Sequence, residues 1–325
     1  MKKSGYAENI RNFEAQFSFQ NIRVAQADAL KKRGAPKKVV ICGMGGSGLS
    51  AKILSLLSKD LRIPIPIESH KNYGIPWDTE KNTLFIFSSF SGNTEETISG
   101  FMEALKKKRI IAVVTTGGQL KKLAEKHKIP HALFPKDLLT PREAVGYNYL
   151  SVLSLLRICF PKITVTPFSS NSFPTSLEKH GKALAGKMKK KITLLYAEER
   201  FSGVLDAWKI NLNETAKQLA FANYIPEMNH NEIAVVQSAK NTIAMFFEDM
   251  RANPSMKKRV RISEKMFLSE NIPTIRVSFS GKNLEERVWR SIVLSHWVSF
   301  FIAQQNHTDP AKTERIEQFK KIMRA

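Results

Sequence analysis

Five runs in the first half of the chain are apolar without alternation: KKVVIC, IPIPIES, LFIFSS, IIAVVTT and HALFP, each separated from the next by a helical or turn-forming segment. A strand that is apolar on both faces must be covered on both faces, and helices lying between strands in sequence supply the cover. The pattern predicts an α/β architecture with a parallel sheet. PKITVTPFSSNSFPTS then thins into proline, serine and threonine over residues 161–176, which reads as a linker. Beyond it ITLLYAEE, NTIAMFFED and PTIRVSF repeat the pattern, between helices expected over 201–223, around 255–270 and along LEERVWRSIVLSHWVSFFIAQQ. Two similar α/β halves, residues 1–160 and 177–325, suit a chain of 325 residues, which is long for a single core. A helix over 8–33, with Ile10, Phe13, Phe17, Ile22, Val24 and Ala27 on one side, is expected before the first strand, and a short one from near Pro310 at the end.

Two of the strands run into turns rich in glycine and serine. Gly43-Met44-Gly45-Gly46-Ser47-Gly48 satisfies G-x-G-x-x-G, and Glu68 lies twenty residues beyond Gly48, so a dinucleotide site is one reading and a merely tight turn another. The second turn, Ser88-Ser89-Phe90-Ser91-Gly92-Asn93-Thr94, has four hydroxyls in seven residues, for which a dinucleotide fold has no use. It leads into a helix with Asn93 and Glu96 at capping-box spacing. Amides and hydroxyls converging on a helix N-terminus make an anion site without a fixed cation, suited to a monophosphate that must be released, although a serine-rich cap without a ligand has the same composition. In LNETAKQLAFANYIPEMNHNEI, Glu214 stands at the expected start of an amphipathic helix and His230 follows sixteen residues later in a polar loop. A carboxylate and an imidazole are groups suited to moving protons.

Hydrophobic content of 42% and charge of 25% are those of a folded globular chain. The net charge of +22 invites a nucleic-acid reading, but the lysine runs are scattered over expected helix faces and ends, and attraction for anionic substrates is the simpler expectation. No window approaches the roughly 18 apolar residues of a membrane span, so a cytoplasmic protein is expected. Cys42 and Cys159 are too few for a disulfide framework or a zinc cluster, and no histidines pair as HxH or HxxxH. A metalloenzyme of the histidine-rich kind is not expected.

GMGGSGLSAKIL, SSFSGNTEET, TTGGQLKKLAEK, PREAVGYNYL, the LNETAKQ stretch and DPAKTERIEQFKK, in this order, resemble the sugar isomerase (SIS) domain proteins, and among them the bifunctional phosphoglucose/phosphomannose isomerases. The resemblance runs from about residue 35 to the end. It implies two SIS domains, each a doubly wound parallel sheet flanked by helices, a homodimer with active sites at domain and subunit boundaries, a hexose 6-phosphate substrate, and no metal or organic cofactor. Gly46, Ser47, Ser89, Ser91 and Thr94 correspond to the phosphate grip, and Arg142 to an arginine beside C1 and C2 of the sugar. Glu214 is similar to the base that moves a proton between C2 and C1 through a cis-enediol. His230 resembles the ring-opening group, given by the partner subunit, with His307 as its rival. Lys320 resembles a lysine that assists ring opening, and Thr313 a threonine associated with room for mannose 6-phosphate. Ordinary alternatives stand beside these: Glu214 as a first-turn helix acid, His230 as a solvated loop residue, Arg142 as a capping group, and Lys312 or Lys321 in place of Lys320. The chain departs from the family pattern at Thr215, at Phe90 and in the Thr115-Thr116-Gly117-Gly118 loop. Interconversion of glucose 6-phosphate and mannose 6-phosphate with fructose 6-phosphate is the expected reaction. A regulatory protein that binds sugar phosphate without turning it over is the alternative.

Overall fold

The computed structural model describes residues 5–136, 140–165, 168 and 172–323. They form two compact units, one made of Asn12–Ser172 and the other of Gly5–Arg11 together with the chain from Phe173 onward. Gly5–Arg11, which the sequence groups with the first domain, belongs with the second unit, and the expected linker falls partly on residues 166, 167 and 169–171, outside the described residues.

The expected long N-terminal helix does not form. Residues 8–33 divide into α1 (Tyr6–Arg11), two 3-10 turns, a strand β1 (Arg23–Ala25) and the short α2 (Ala27–Lys31). Two causes are visible. Gln26 takes a left-handed conformation, φ 58°, which no α-helix continues through, and the β-branched Ile22 and Val24 lie where the backbone is extended. The aromatic residues pack into their own unit instead, with Phe17 4.2 Å from Phe168 between ring centroids.

The first unit continues with β2 (Lys38–Cys42), α3 (Leu49–Leu57), β3 (Ile67–His70), β4 (Thr83–Ser89), α4 (Glu95–Lys106), β5 (Ile110–Thr115), α5 (Gly118–Lys126), β6 (His131–Leu133) and α6 (Val145–Cys159). Its sheet has the order β1-β6-β5-β4-β2-β3, parallel except for β1, which pairs antiparallel with β6. Without that edge strand the order is the flavodoxin type, 2-1-3-4-5, whose ligand crevice opens where the winding reverses, here between the carboxyl ends of β2 and β4. All seven residues of β4 are buried, as the unbroken TLFIFSS run requires. On one face Phe85 and Phe87 meet Phe101 of α4, with Phe87 and Phe101 edge to face at 5.8 Å.

The second unit contains α7 (Ser176–Met188), β7 (Ile192–Glu198), α8 (Ser202–Glu214), β8 (Ala220–Ile225), β9 (Thr242–Glu248), α9 (Pro254–Ser269), β10 (Thr274–Ser278), α10 (Leu284–Gln305) and α11 (Glu314–Ile322). Its sheet, β10-β9-β7-β8, is wholly parallel. The expected helix over 201–223 ends at Glu214, and the remainder turns into β8. Lys217 adopts φ 55° in that turn, and Asn213 brackets the first residue of the strand, accepting from the Ala220 amide at 2.8 Å. Two buried hydrogen bonds fix α8 to α10: Trp208 Nε1 donates to Ser291 Oγ at 3.0 Å, and Asn211 Nδ2 to Ser295 Oγ at 2.7 Å. The terminal helix starts at Glu314 and not near Pro310, because the Asp309 side chain accepts from the Ala311 amide at 2.8 Å and closes a turn there. Among the described residues no helix is long and apolar enough to cross a membrane.

Candidate functional site

In the first unit, the crevice between β2 and β4 is lined by the two glycine-serine turns. Gly45 takes φ 50°, and a Cβ on Gly46 would stand 2.6 Å from the Pro141 carbonyl oxygen and 3.1 Å from Arg142 Cα. Close approach, more than backbone freedom, is therefore what requires a glycine at 46. It brings the backbone of the buried Arg142 directly against the first turn. Gly46→Ala is expected to part these two segments, costing about 1–3 kcal/mol in urea unfolding and weakening inorganic phosphate binding in calorimetry.

The hydroxyls of the two turns are already organised. Ser47 Oγ accepts from the Phe90 amide at 3.0 Å, Ser89 Oγ from the Gly92 amide at 3.0 Å, and Ser91 Oγ from the Asn93 amide at 3.2 Å. Ser89 and Thr94 share a bond of 2.8 Å. A hydroxyl that accepts from an amide keeps its own proton to give, so the cradle presents donors suited to an anion. Thr116 supports it by donating to the Phe90 carbonyl at 2.7 Å, and Gly92 and Gly118, both at positive φ, interlock. Ser88 turns away: its hydroxyl accepts from Asn148 Nδ2 at 2.7 Å. Asn93 does not cap α4 as its spacing suggests, for its side chain accepts from the Gln119 amide at 3.0 Å, and α4 begins at Glu95 after Thr94. Nor is the cradle without a cationic neighbour. Lys71 Cε lies 3.5 Å from where a Gly48 Cβ would stand.

For a dinucleotide, Glu68 would have to be free for a ribose, yet Lys38 Nζ holds its carboxylate at 2.7 Å. Cys42, beside the first turn, is no nucleophile at neutral pH, since burial pushes its thiol up to about 12.

The equivalent crevice of the second unit, between the carboxyl ends of β7 and β9, is chemically different. Asp249, just past β9, is ion-paired with Arg200 at 3.0 Å and Arg287 at 3.3 Å, and Arg200 also meets Glu198 at 3.0 Å. Glu198, Glu248 and Asp249 gather where the first unit has hydroxyls, each within ion-pair distance of an arginine, so the crevice holds compensated charge and not a hydroxyl cradle.

Glu214 is the last residue of α8, not a first-turn acid, so its carboxylate stands at the negative end of the helix macrodipole, where a carboxylate is electrostatically disfavoured. It is half-buried and lines an open cleft of about 770 Å³ together with Asn213 and Lys217 on one side and Thr308, Lys312 and Thr313 on the other. The cleft therefore brings Glu214 to Thr313. Neither His230, His307 nor Lys320 lines it. His230 is exposed in a 3-10 turn after β8, a turn steadied by Asn229 donating to Ser263 Oγ at 2.7 Å and by Tyr196 OH donating to Glu232 at 2.7 Å. Lys320 is exposed on α11 and pairs with Glu317 at 2.7 Å.

Several supporting groups escaped the sequence reading. Gln16, buried in a 3-10 turn, donates to the Glu143 carbonyl at 2.9 Å and accepts from the Gly146 and Tyr147 amides at 3.1 and 3.2 Å, which ties the start of α6 next to Arg142. Asn148, Lys71 and Lys217 are the others; none stands in a turn motif or at a spacing that distinguishes it from the many polar residues around it.

Residues 177–323 match the family model described as bacterial phospho-glucose isomerase C-terminal SIS domain. The chain is 30% identical over 305 residues to a bifunctional phosphoglucose/phosphomannose isomerase of Caldicellulosiruptor bescii, covering 87% of this chain and 88% of that one. It is also 30% identical to one of Thermoplasma volcanium, covering 89% and 92%. Among solved structures, a tagatose-6-phosphate ketose/aldose isomerase from Escherichia coli superposes with a TM-score of 0.68 at 15% identity, each chain covered to 94%.

Proposed function

The chain belongs to the bifunctional phosphoglucose/phosphomannose isomerase family, and from that membership and the chemistry of its two units we propose that it interconverts glucose 6-phosphate and mannose 6-phosphate with fructose 6-phosphate. The observation that carries the reading is the contrast between the units: an amide and hydroxyl cradle in one, and in the other a carboxylate lining an open cleft.

The reaction begins on the open-chain aldose, whose phosphate is held by Gly46, Ser47, Ser89, Ser91 and Thr94. Ring opening needs a group that gives one proton and takes another near neutral pH; His230, supplied by the partner subunit of a homodimer, fills that role, and Lys320 assists it. Glu214 then takes the proton from C2. The C2–H electron pair becomes the C1=C2 double bond, and the carbonyl pair moves to O1, giving a cis-enediolate. Arg142 stabilises the developing charge on the oxygens. A proton passes between O2 and O1, Glu214 returns its proton to C1, and the 2-ketose results. Thr313 lies on the rim that distinguishes the two C2 epimers. Two domains of the SIS type, joined by 161–176 and with Gly5–Arg11 grouped with the second, divide the phosphate grip from the base. The enzyme is a cytoplasmic homodimer without a nucleic-acid partner.

Proton transfer beside a carbonyl needs a base and an oxyanion donor, and both are side chains here. A coupled assay with the three hexose phosphates after EDTA treatment is therefore expected to show undiminished turnover. Binding of fructose 6-phosphate without any turnover would overturn the reading in favour of a sugar-phosphate sensor.

A further inference from the structure

Lys217 stands in the turn between α8 and β8, three residues after Glu214. Its ammonium donates to three main-chain carbonyls: that of Glu214, that of Asp309 at 3.3 Å and that of Lys312 at 2.6 Å. A primary ammonium has three donors and no acceptor, so the three carbonyls match its capacity. The first bond alone would be a cationic cap on the C-terminal end of α8, a common arrangement. The other two acceptors belong to a different stretch, the strap that leads from α10 to α11.

The strap needs such a tie. α11, which follows it, buries none of its residues, so packing does not fix where the helix sits. Thr308 donates its amide to the Ala303 carbonyl at 3.0 Å, and Asn306 Nδ2 donates to the Ala216 carbonyl at 3.3 Å, but both bonds act where the strap leaves α10. At the far end Lys312 precedes Thr313, the residue at the head of α11 that faces the cleft shared with Glu214. The Lys217 bond to the Lys312 carbonyl is thus one residue from Thr313 on one side, and its bond to the Glu214 carbonyl is on the catalytic residue itself.

We propose that Lys217 is a positioning residue: by holding the carbonyls of Glu214, Asp309 and Lys312 together it sets the register of Thr313 against Glu214, and so the shape of the cleft that receives the sugar. The kinetic consequence rests on the isomerase reading; the structural one does not. Because Lys217 acts through the strap and not on the reacting atoms, its loss should weaken substrate capture more than it slows the proton transfer.

Two variants of the full chain test this. Lys217→Met keeps the length of the side chain and removes its donors; Lys217→Arg keeps donors and charge. Hydrogen exchange read by mass spectrometry is expected to quicken about tenfold or more over 308–323 in Lys217→Met, with 202–214 unchanged. KM for fructose 6-phosphate is expected to rise about tenfold with kcat within about twofold. Lys217→Arg should restore most of both. Exchange over 308–323 equal to that of the wild type would overturn the proposal. So would faster exchange with an unaltered KM, or a fall in kcat alone. If the wild type itself lacked isomerase activity, the isomerase reading would fail while the exchange comparison still decided whether Lys217 holds the strap.

Discussion

Glu214→Gln is expected to lower turnover of fructose 6-phosphate by at least about 10³-fold, near the upper part of what general base catalysis contributes, because the amide cannot carry the proton between C1 and C2. The change is nearly isosteric in a half-buried position lining an open cleft, so the chain should remain folded, with stability within about 1 kcal/mol of the wild type. That pairing of outcomes separates a catalytic carboxylate from a structural one. A carboxylate at the C-terminal end of a helix opposes the macrodipole, so the helix itself does not favour an acid at position 214. Activity within tenfold of the wild type would assign the base elsewhere. Loss of activity matched by unfolding would make Glu214 a structural residue.

Arg142→Lys is expected to reduce kcat by about 10²- to 10³-fold, the usual loss when one oxyanion donor is removed. The substitution keeps the charge, so an arginine serving only as a general cation would tolerate it. A guanidinium presents donors in a rigid plane, whereas an ammonium is a mobile point charge, and a site that must meet two adjacent oxygens distinguishes them. Arg142 is buried, with its backbone pressed against Gly46, and Gln16 fastens the start of α6 just beyond it. This leaves little freedom for a lysine to find another route to the same place. Phosphate affinity, which the proposal assigns to the hydroxyl turns, should change far less than kcat. A kcat within tenfold of the wild type would remove Arg142 from the chemistry.

Much of the fold was legible because both sheets are parallel apart from the edge strand β1. β2, β4, β5, β7 and β9 are buried on both faces and read as continuous apolar runs. β8 was hidden for the opposite reason: as an edge strand it is only partly buried, and AFANYI next to a helix reads as more helix. That misreading hid the helix end at which Glu214 stands. β1 was hidden by its length of three residues and by aromatic neighbours that imitate a helical stripe. In the cradle, the residue types suggest an anion site, but not which hydroxyl faces inward; Ser88 and Ser89 are adjacent, and alternation along β4 sends only one of them toward the turn. Gln16, and Lys217 in two of its three bonds, act on main-chain groups far away in sequence, and such partners leave no local pattern to read.

The most direct test is to convert fructose 6-phosphate in D₂O and follow C2 of the glucose 6-phosphate by NMR. Over many turnovers a proton held on Glu214 exchanges with solvent, so deuterium is expected to accumulate at C2 in the wild type, with no conversion in Glu214→Gln. Product that carries only protium at C2 after prolonged turnover would mean that hydrogen moves directly between the carbons, and would contradict the enediol mechanism.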